Sequence, residues 1–296
     1  MTERATNSHT MLINHSFSRF KACFRVMEPV RLPPFTGSAF RGALGHALRR
    51  VTYGTKEGCA DCPARSECRY GDLYAYLFES PWDHPFIEPA HQGLRPRLRR
   101  ETYPQPLVLD PPAGGGYDTG SLLGLPFTLV GRAIRCFPFL ACALSIMGAQ
   151  GVGRGRGRIL LEAVVNGLPS DDGGETVVYD AKTGRIVGPG EVLDFGIIRR
   201  WAMDSLPTET GVREVRIRFL TPFRYKYEGK LGQPLTFEIF MRNLFRRLVL
   251  LSVHSPLSFE MDYKDLLSAA ACVQTARSAL RWYRWERYSN KKRKRL

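Results

Sequence analysis

The chain has 296 residues and a formal net charge of +15, from 43 Lys and Arg against 28 Asp and Glu. That length suffices for two domains of ordinary size, and the basic excess points to nucleic acid, an anionic membrane face or acidic proteins as partners. No apolar run approaches the roughly 18 residues of a bilayer span, no signal-like segment opens the chain, and an odd set of seven cysteines suits a reducing compartment; the expectation is a cytoplasmic protein with no membrane partner.

Residues 1–10 are polar. Residues 17–26 (FSRFKACFRV) alternate apolar with basic or polar side chains, as a half-buried strand does. A proline-bearing turn follows over 29–35. Residues 37–53, GSAFRGALGHALRRVTY, read as one amphipathic helix, with Phe40, Ala43, Leu44, Ala47, Leu48 and Val51 three and four apart and Thr36 or Ser38 as N-cap. His46 is placed at the edge of that stripe, and Gly42, Arg50 and Tyr53 stack over the same flank. A helix that only packs has no need of a glycine, a histidine, an arginine and a tyrosine on one edge. The plain alternative is a boundary histidine satisfied by a neighbouring carbonyl.

Cys59, Cys62 and Cys68 follow as C-x2-C-x5-C. The first pair has the spacing of a thiolate-bound metal, and Zn²⁺ takes four such ligands. Only three cysteines are local, so Cys23, His84 or His91 is needed as the fourth. Two readings stay open: a structural zinc insertion at about 55–80, or a metal-free loop with inert thiols.

Residues 81–106 are rich in proline and arginine and read as a loop. A short strand is expected at 106–109, a flexible turn at 113–118, and a long strand at 122–135 with irregularities at Gly124 and Pro126. Residues 137–147 form an apolar helix. Residues 148–158, GAQGVGRGRGR, hold five glycines and three arginines before a strand at 159–165. Glycine lets backbone N–H groups approach an oxyanion, and Arg154, Arg156 and Arg158 add charge and stacking. The order strand, helix, strand, strand, helix, strand is that of a ferredoxin-like unit.

Residues 166–210 read as a connection with a hairpin at 176–187. A second unit then begins with an alternating strand at 212–219 and an amphipathic helix at 235–253. The apolar face of that helix is Phe237, Phe240, Met241, Leu244, Leu248 and Leu251, with Arg242, Arg246 and Arg247 off it. A further helix is expected at 263–275. The tail interleaves Trp and Tyr with Arg284, Arg287, Lys291, Lys292 and Arg293, the composition of single-stranded or hairpin RNA recognition. The fold class is therefore α+β, with two tandem ferredoxin-like (RRM-like) domains: residues 1–168, a connecting hairpin at 169–210, and residues 211–296, which stop short of a full second motif.

The combination of FLTPFRYKYEGKL (219–231), LTFEIFMRNLFRRL (235–248), WERYSNKKRKR (285–295), GSAFRGALGHALRR, the cysteine cluster and the GVGRGRGR loop resembles the CRISPR repeat-processing endoribonucleases of the RAMP superfamily. The resemblance covers most of the chain. It implies binding of CRISPR repeat RNA, single-stranded or hairpin, and metal-independent cleavage by attack of a 2′-hydroxyl on the adjacent phosphate. The products implied are a 2′,3′-cyclic phosphate and a 5′-hydroxyl. The family's key histidine sits on the first helix, where this chain has His46. That residue is expected as general base or acid, with Arg50 and Arg49 steadying the developing charge and Tyr53 orienting the 2′-hydroxyl or phosphate. No cofactor is implied for catalysis; zinc is implied only as structural. Other CRISPR effector subunits, or a fused C-terminal domain, are the further partners. The alternatives are a non-cleaving RAMP subunit that holds guide RNA and a zinc-stabilised interaction module.

Overall fold

The computed structural model describes residues 16–53, 73–79, 84, 86–87, 103–167, 175–188, 190–205, 214–227, 229–231, 234–255, 264–282, 288–289 and 294–295. It is a mixed α+β protein whose main sheet is antiparallel throughout. The chain divides into two compact units. One comprises Ile13–Phe195 with Leu251–Ser258; the other comprises Met1–Leu12, Gly196–Leu250 and Phe259–Leu296.

The first unit is built on β1 (Ser16–Val26), whose even-numbered residues Ser18 to Val26 are buried while the odd ones face outward. That alternation is the period of two that the sequence shows. β5 (Leu122–Val130) pairs on one side of β1 and β6 (Ile159–Asn166) on the other, both antiparallel. β3 (Leu107–Leu109) lies beyond β5. Pro126 sits inside β5 without breaking it. It lies opposite Lys21, and its missing N–H falls on the far side, past the end of β3, where Leu109 pairs with Phe127. The central order β3-β5-β1-β6, with a helix between β1 and β3 and another between β5 and β6, follows the β-α-β-β-α-β sequence of elements. The expected hairpin forms as β7 (Val177–Asp180) and β8 (Arg185–Ile186), and it extends the same sheet past β6.

Both helices cover one face of this sheet. α1 (Gly37–Tyr53) buries Phe40, Leu44, Ala47 and Leu48. α2 (Phe137–Gln150) buries Phe137, Leu140, Ala141, Ala143, Leu144 and Met147 and packs on both α1 and β6. The stretch Gly131–Gln150 has the length and mean hydropathy, 1.4, of a membrane span. Its buried residues are instead those of a core helix packed on the sheet and beside α1. Two expected turns are short strands: β2 (Val30–Leu32) pairs with β4 (Gly115–Tyr117). The Thr36 hydroxyl donates to the Pro112 carbonyl at 2.7 Å, tying the entry of α1 to the segment that leads into β4.

The strand expected over 122–135 stops at Val130, and Gly131–Cys136 is a 3-10 turn. Gly131 has φ +58, and a Cβ there would stand 2.1 Å from the His254 carbonyl oxygen. His254 belongs to a 3-10 turn, Ser252–His254, through which the chain returns to the first unit. Its ring is fully buried. Nε2–H donates to the Pro104 carbonyl at 2.7 Å, and Nδ1 meets the Tyr76 hydroxyl at 3.0 Å. A carbonyl can only accept, so Nε2 carries a proton; in the neutral form of the ring Tyr76 donates to Nδ1.

In the second unit, α3 (Phe195–Asp204) is a helix where only a connection was expected. The strand expected over 212–219 is absent from the described residues 214–219. Val215 and Ile217 are exposed there, so the alternation finds no neighbouring strand to bury it. α4 (Phe237–Leu251) forms within the expected helix, and Thr236 Oγ1 caps it by accepting the Ile239 N–H at 3.2 Å. α5 (Lys264–Ala271) packs Leu267 on Phe245 of α4. Phe219, Phe223, Tyr225, Phe240 and Trp282 form a chain of ring contacts.

Candidate nucleic-acid interface

The buried flank of α1 turns its other flank to solvent. His46 is two residues on from Leu44, about 200° round the helix, and is exposed together with Arg49 and Arg50. It stands in the middle of the outer face, not at the margin of the apolar stripe. Among the described residues, no hydrogen bond or ion pair engages His46 or Arg50. No described carbonyl meets the ring, as the reading of a boundary histidine would need. Gly42 lies one turn earlier on the same flank, and a Cβ there would meet nothing within 4 Å. Packing among the described residues does not require that glycine. Tyr53 is the last residue of α1, and its side chain lies outside the described residues.

Arg49 shares this face but is engaged. Its guanidinium lies 4.2 Å over the Tyr74 ring and 3.6 Å from the Glu79 carboxylate. Tyr74 is stacked on Phe78, with centroids 5.2 Å apart and planes 3° apart. Arg41 lies 4.8 Å over Phe78 and donates to the Phe78 carbonyl at 3.2 Å. These aromatics come from the π-helical turn Ala75–Glu79 and the residue before it. Gly45 lets them seat, since a Cβ there would already be 3.3 Å from the Phe78 ring. Burial lowers the Arg41 pKa and raises that of Tyr74.

The glycine–arginine segment is an ordered loop. Val152 bridges to Gly157 across it, and the Arg154 N–H donates to the Arg31 carbonyl of β2 at 2.8 Å. Gly153 has φ +73, and a Cβ on it would stand 2.4 Å from the Arg31 carbonyl oxygen, so no other residue fits. The loop is therefore pinned to the strand that leads into α1. Arg154 and Arg156 are exposed on it. Arg156 adopts φ +54, a left-handed backbone that costs a side-chain-bearing residue roughly 1 kcal/mol or more. Arg158 is committed elsewhere. It forms a two-pronged pair with Glu28, Nε to Oε1 at 2.8 Å and Nη2 to Oε1 at 2.7 Å, while its N–H donates to Oε2 at 3.0 Å. These bonds hold Glu28 below the usual carboxylate range and raise Arg158.

The open face of the sheet also carries cations, but each has a partner. Arg19 pairs with Asp110 at 3.1 Å, Lys21 with Glu175 at 2.5 Å, and Arg25 with Glu162 at 2.6 Å. The outward residues of β5, Leu122, Gly124, Pro126 and Thr128, offer no aromatic ring for a base. Arg50 on α1 and Arg154 and Arg156 on the loop, by contrast, are exposed and have no ion-pair partner among the described residues.

Arg284, Arg287, Lys291, Lys292 and Arg293 lie outside the described residues, as do Cys59, Cys62, Cys68 and His91. Two of the candidate fourth metal ligands are described. His84 is buried, packs on Tyr76 and Phe86, and its Nδ1 accepts the Phe86 N–H at 3.1 Å. Cys23 sits on the open sheet face, where burial raises its thiol pKa and so disfavours the thiolate a metal needs. Among the described residues no group of three or more His, Cys, Asp or Glu gathers as a metal site. Tyr74, Phe78 and Glu79 were missed as site residues. The one sequence signal was the aromatic density of the segment DLYAYLFE (72–79) after the cysteine cluster.

A family model for an N-terminal domain, AF_1859_N, matches residues 13–191. Its span nearly coincides with the first stretch of the first compact unit. No curated protein matches the chain. Among solved structures, the chain is similar to one from the crystal structure of the Csm3–Csm4 subcomplex in the type III-A CRISPR-Cas interference complex. Identity is 11%, the alignment covers 52% of this chain and 80% of that one, and the TM-score is 0.30.

Proposed function

The chain belongs to the AF_1859_N family, and on that premise we propose that it is a cytoplasmic, metal-independent endoribonuclease that binds CRISPR repeat RNA and cuts precursor CRISPR RNA. The observation that carries this reading is His46. It is exposed at the centre of the α1 face, without a partner among the described residues, and Arg50 lies one turn on. The motif resemblance and the net charge of +15 add support. Two tandem ferredoxin-like folds belong to the same reading; the strand order of the first unit supports one of them.

In the proposed reaction His46 takes the proton of a 2′-hydroxyl, or gives one to the leaving oxygen. The 2′-oxygen bonds to phosphorus as the bond to the 5′-oxygen breaks, and that oxygen leaves as a hydroxyl once protonated. Arg50 offsets the charge that gathers on the non-bridging oxygens. The test is incubation of purified protein with repeat RNA in EDTA. Cleavage to 2′,3′-cyclic phosphate and 5′-hydroxyl ends is expected, abolished by a single 2′-deoxy substitution at the cut site. Cleavage that survives the 2′-deoxy substitution, or that needs added metal, contradicts the mechanism. A second reading, an RNA-binding subunit that holds guide RNA uncut, draws on the commitment of Arg49 to Tyr74 and Glu79. Binding without cleavage is its signature.

A further inference from the structure

The stack beside His46 has two unlike ends. Its order is Arg41, Phe78, Tyr74, Arg49. At the inner end Arg41 is half-buried and tied to a backbone carbonyl. At the outer end the Arg49 side chain is 45% exposed, with one side on Tyr74 and its edge held by Glu79. A guanidinium is flat, weakly hydrated and suited to stacking on both of its faces. Among the described residues the series thus stops at a cation that has one stacking partner and access to solvent for a second. The wide turn Ala75–Glu79 buries Tyr76 and Leu77 in the core and brings Tyr74, Phe78 and Glu79 against the same flank of α1.

We propose that Arg49, backed by Tyr74 and pinned by Glu79, is a nucleobase-stacking site for single-stranded RNA. This rests on the RNA reading above and reassigns Arg49 from steadying the reacting phosphate to holding a base. Arg49 is three residues from His46, one turn of helix, so a base stacked there belongs to a nucleotide near the phosphate that His46 faces. A flat, electron-rich base completes the series that Phe78 and Tyr74 begin. Stacking reads no base edge, so the site favours purines through their larger area and sets the register of the strand, not its sequence.

The test uses the full chain and repeat RNA carrying 2′-O-methyl groups throughout, which block 2′-hydroxyl attack, with one 2-aminopurine moved along the strand. On the parent protein, one position is expected to show quenching. Arg49→Lys keeps the charge but removes the plane; it should abolish that quenching and weaken binding about 10-fold. The same variant should bind normally to RNA made abasic at that position. Glu79→Gln, which unpins the guanidinium and leaves its charge, should reduce the same signal. Parental melting temperatures for both variants separate the effect from misfolding. Absence of a quenched position on a bound strand, parental binding by Arg49→Lys, or equal losses on intact and abasic RNA overturns the stacking site alone. A parent that binds no repeat RNA overturns the RNA reading and this site with it.

Discussion

Gly42 separates a structural from a functional role at a single residue. Glycine inside a helix costs roughly 1 kcal/mol relative to alanine, and here a Cβ has open space. Gly42→Ala is therefore expected to raise thermal stability. If an RNA backbone passes over the bare helix beside His46, the same variant loses several-fold in cleavage. A more stable and fully active variant denies the glycine any part in the site. His46 itself was legible in the sequence, because a histidine among Gly42, Arg50 and the apolar stripe stands out on a helical projection. Its place on that projection was not, since the buried arc centres on Leu44 and Leu48 and only the packed structure shows how wide it is. The engagement of Arg49 was hidden for a different reason. Its partners Tyr74 and Glu79 lie on the far side of the cysteine segment, and no periodicity links them to α1.

Two elements carry strain or buried polarity that substitution exposes. Gly131→Ala places a methyl on a left-handed backbone and against the His254 carbonyl. The expected loss is about 2 kcal/mol or more, read as a fall in melting temperature, with parental stability as the contrary result. The glycine–arginine loop is clamped by Glu28 and Arg158. Because the folded-state pKa of Glu28 is depressed, this clamp is fully present above the carboxylate's ordinary range and is lost as pH falls through its lower folded value. Amide exchange in residues 151–157, corrected for intrinsic pH dependence, should rise over that acid window in the parent and be high at all pH values in Arg158→Ala. A pH-independent loop rules the clamp out. Strand β1 and helices α1 and α4 were readable because each shows one dominant period over its length, and α2 because it is a continuous apolar run. The end of β5 at Val130 was not, because Gly131 is dictated by a residue more than a hundred positions later. The strand expected over 212–219 does not form at 214–219, where no described strand pairs with it, and no sequence window contains that information.

Across the molecule, net charge alone did not locate a binding face. Arg19, Lys21 and Arg25 count toward the +15 as fully as Arg154 and Arg156 do, but they are matched by Asp110, Glu175 and Glu162. Phosphate contacts release counterions, with a log–log salt slope of about −0.7 per contact on single strands. Arg154→Ala and Arg156→Gly should each make the slope shallower by about that amount. Arg156→Gly should also gain stability, because glycine accepts the φ of +54 that arginine resists. Arg19→Ala should leave the slope unchanged. Equal effects at Arg19 and Arg154 would move the binding face to the sheet. The most direct measurement is cleavage of repeat RNA in EDTA by the parent and by His46→Ala, with folding checked by melting temperature. The account predicts a loss of about 100-fold or more in the cleavage rate, with RNA binding retained. Undiminished cleavage by a folded His46→Ala protein would contradict it.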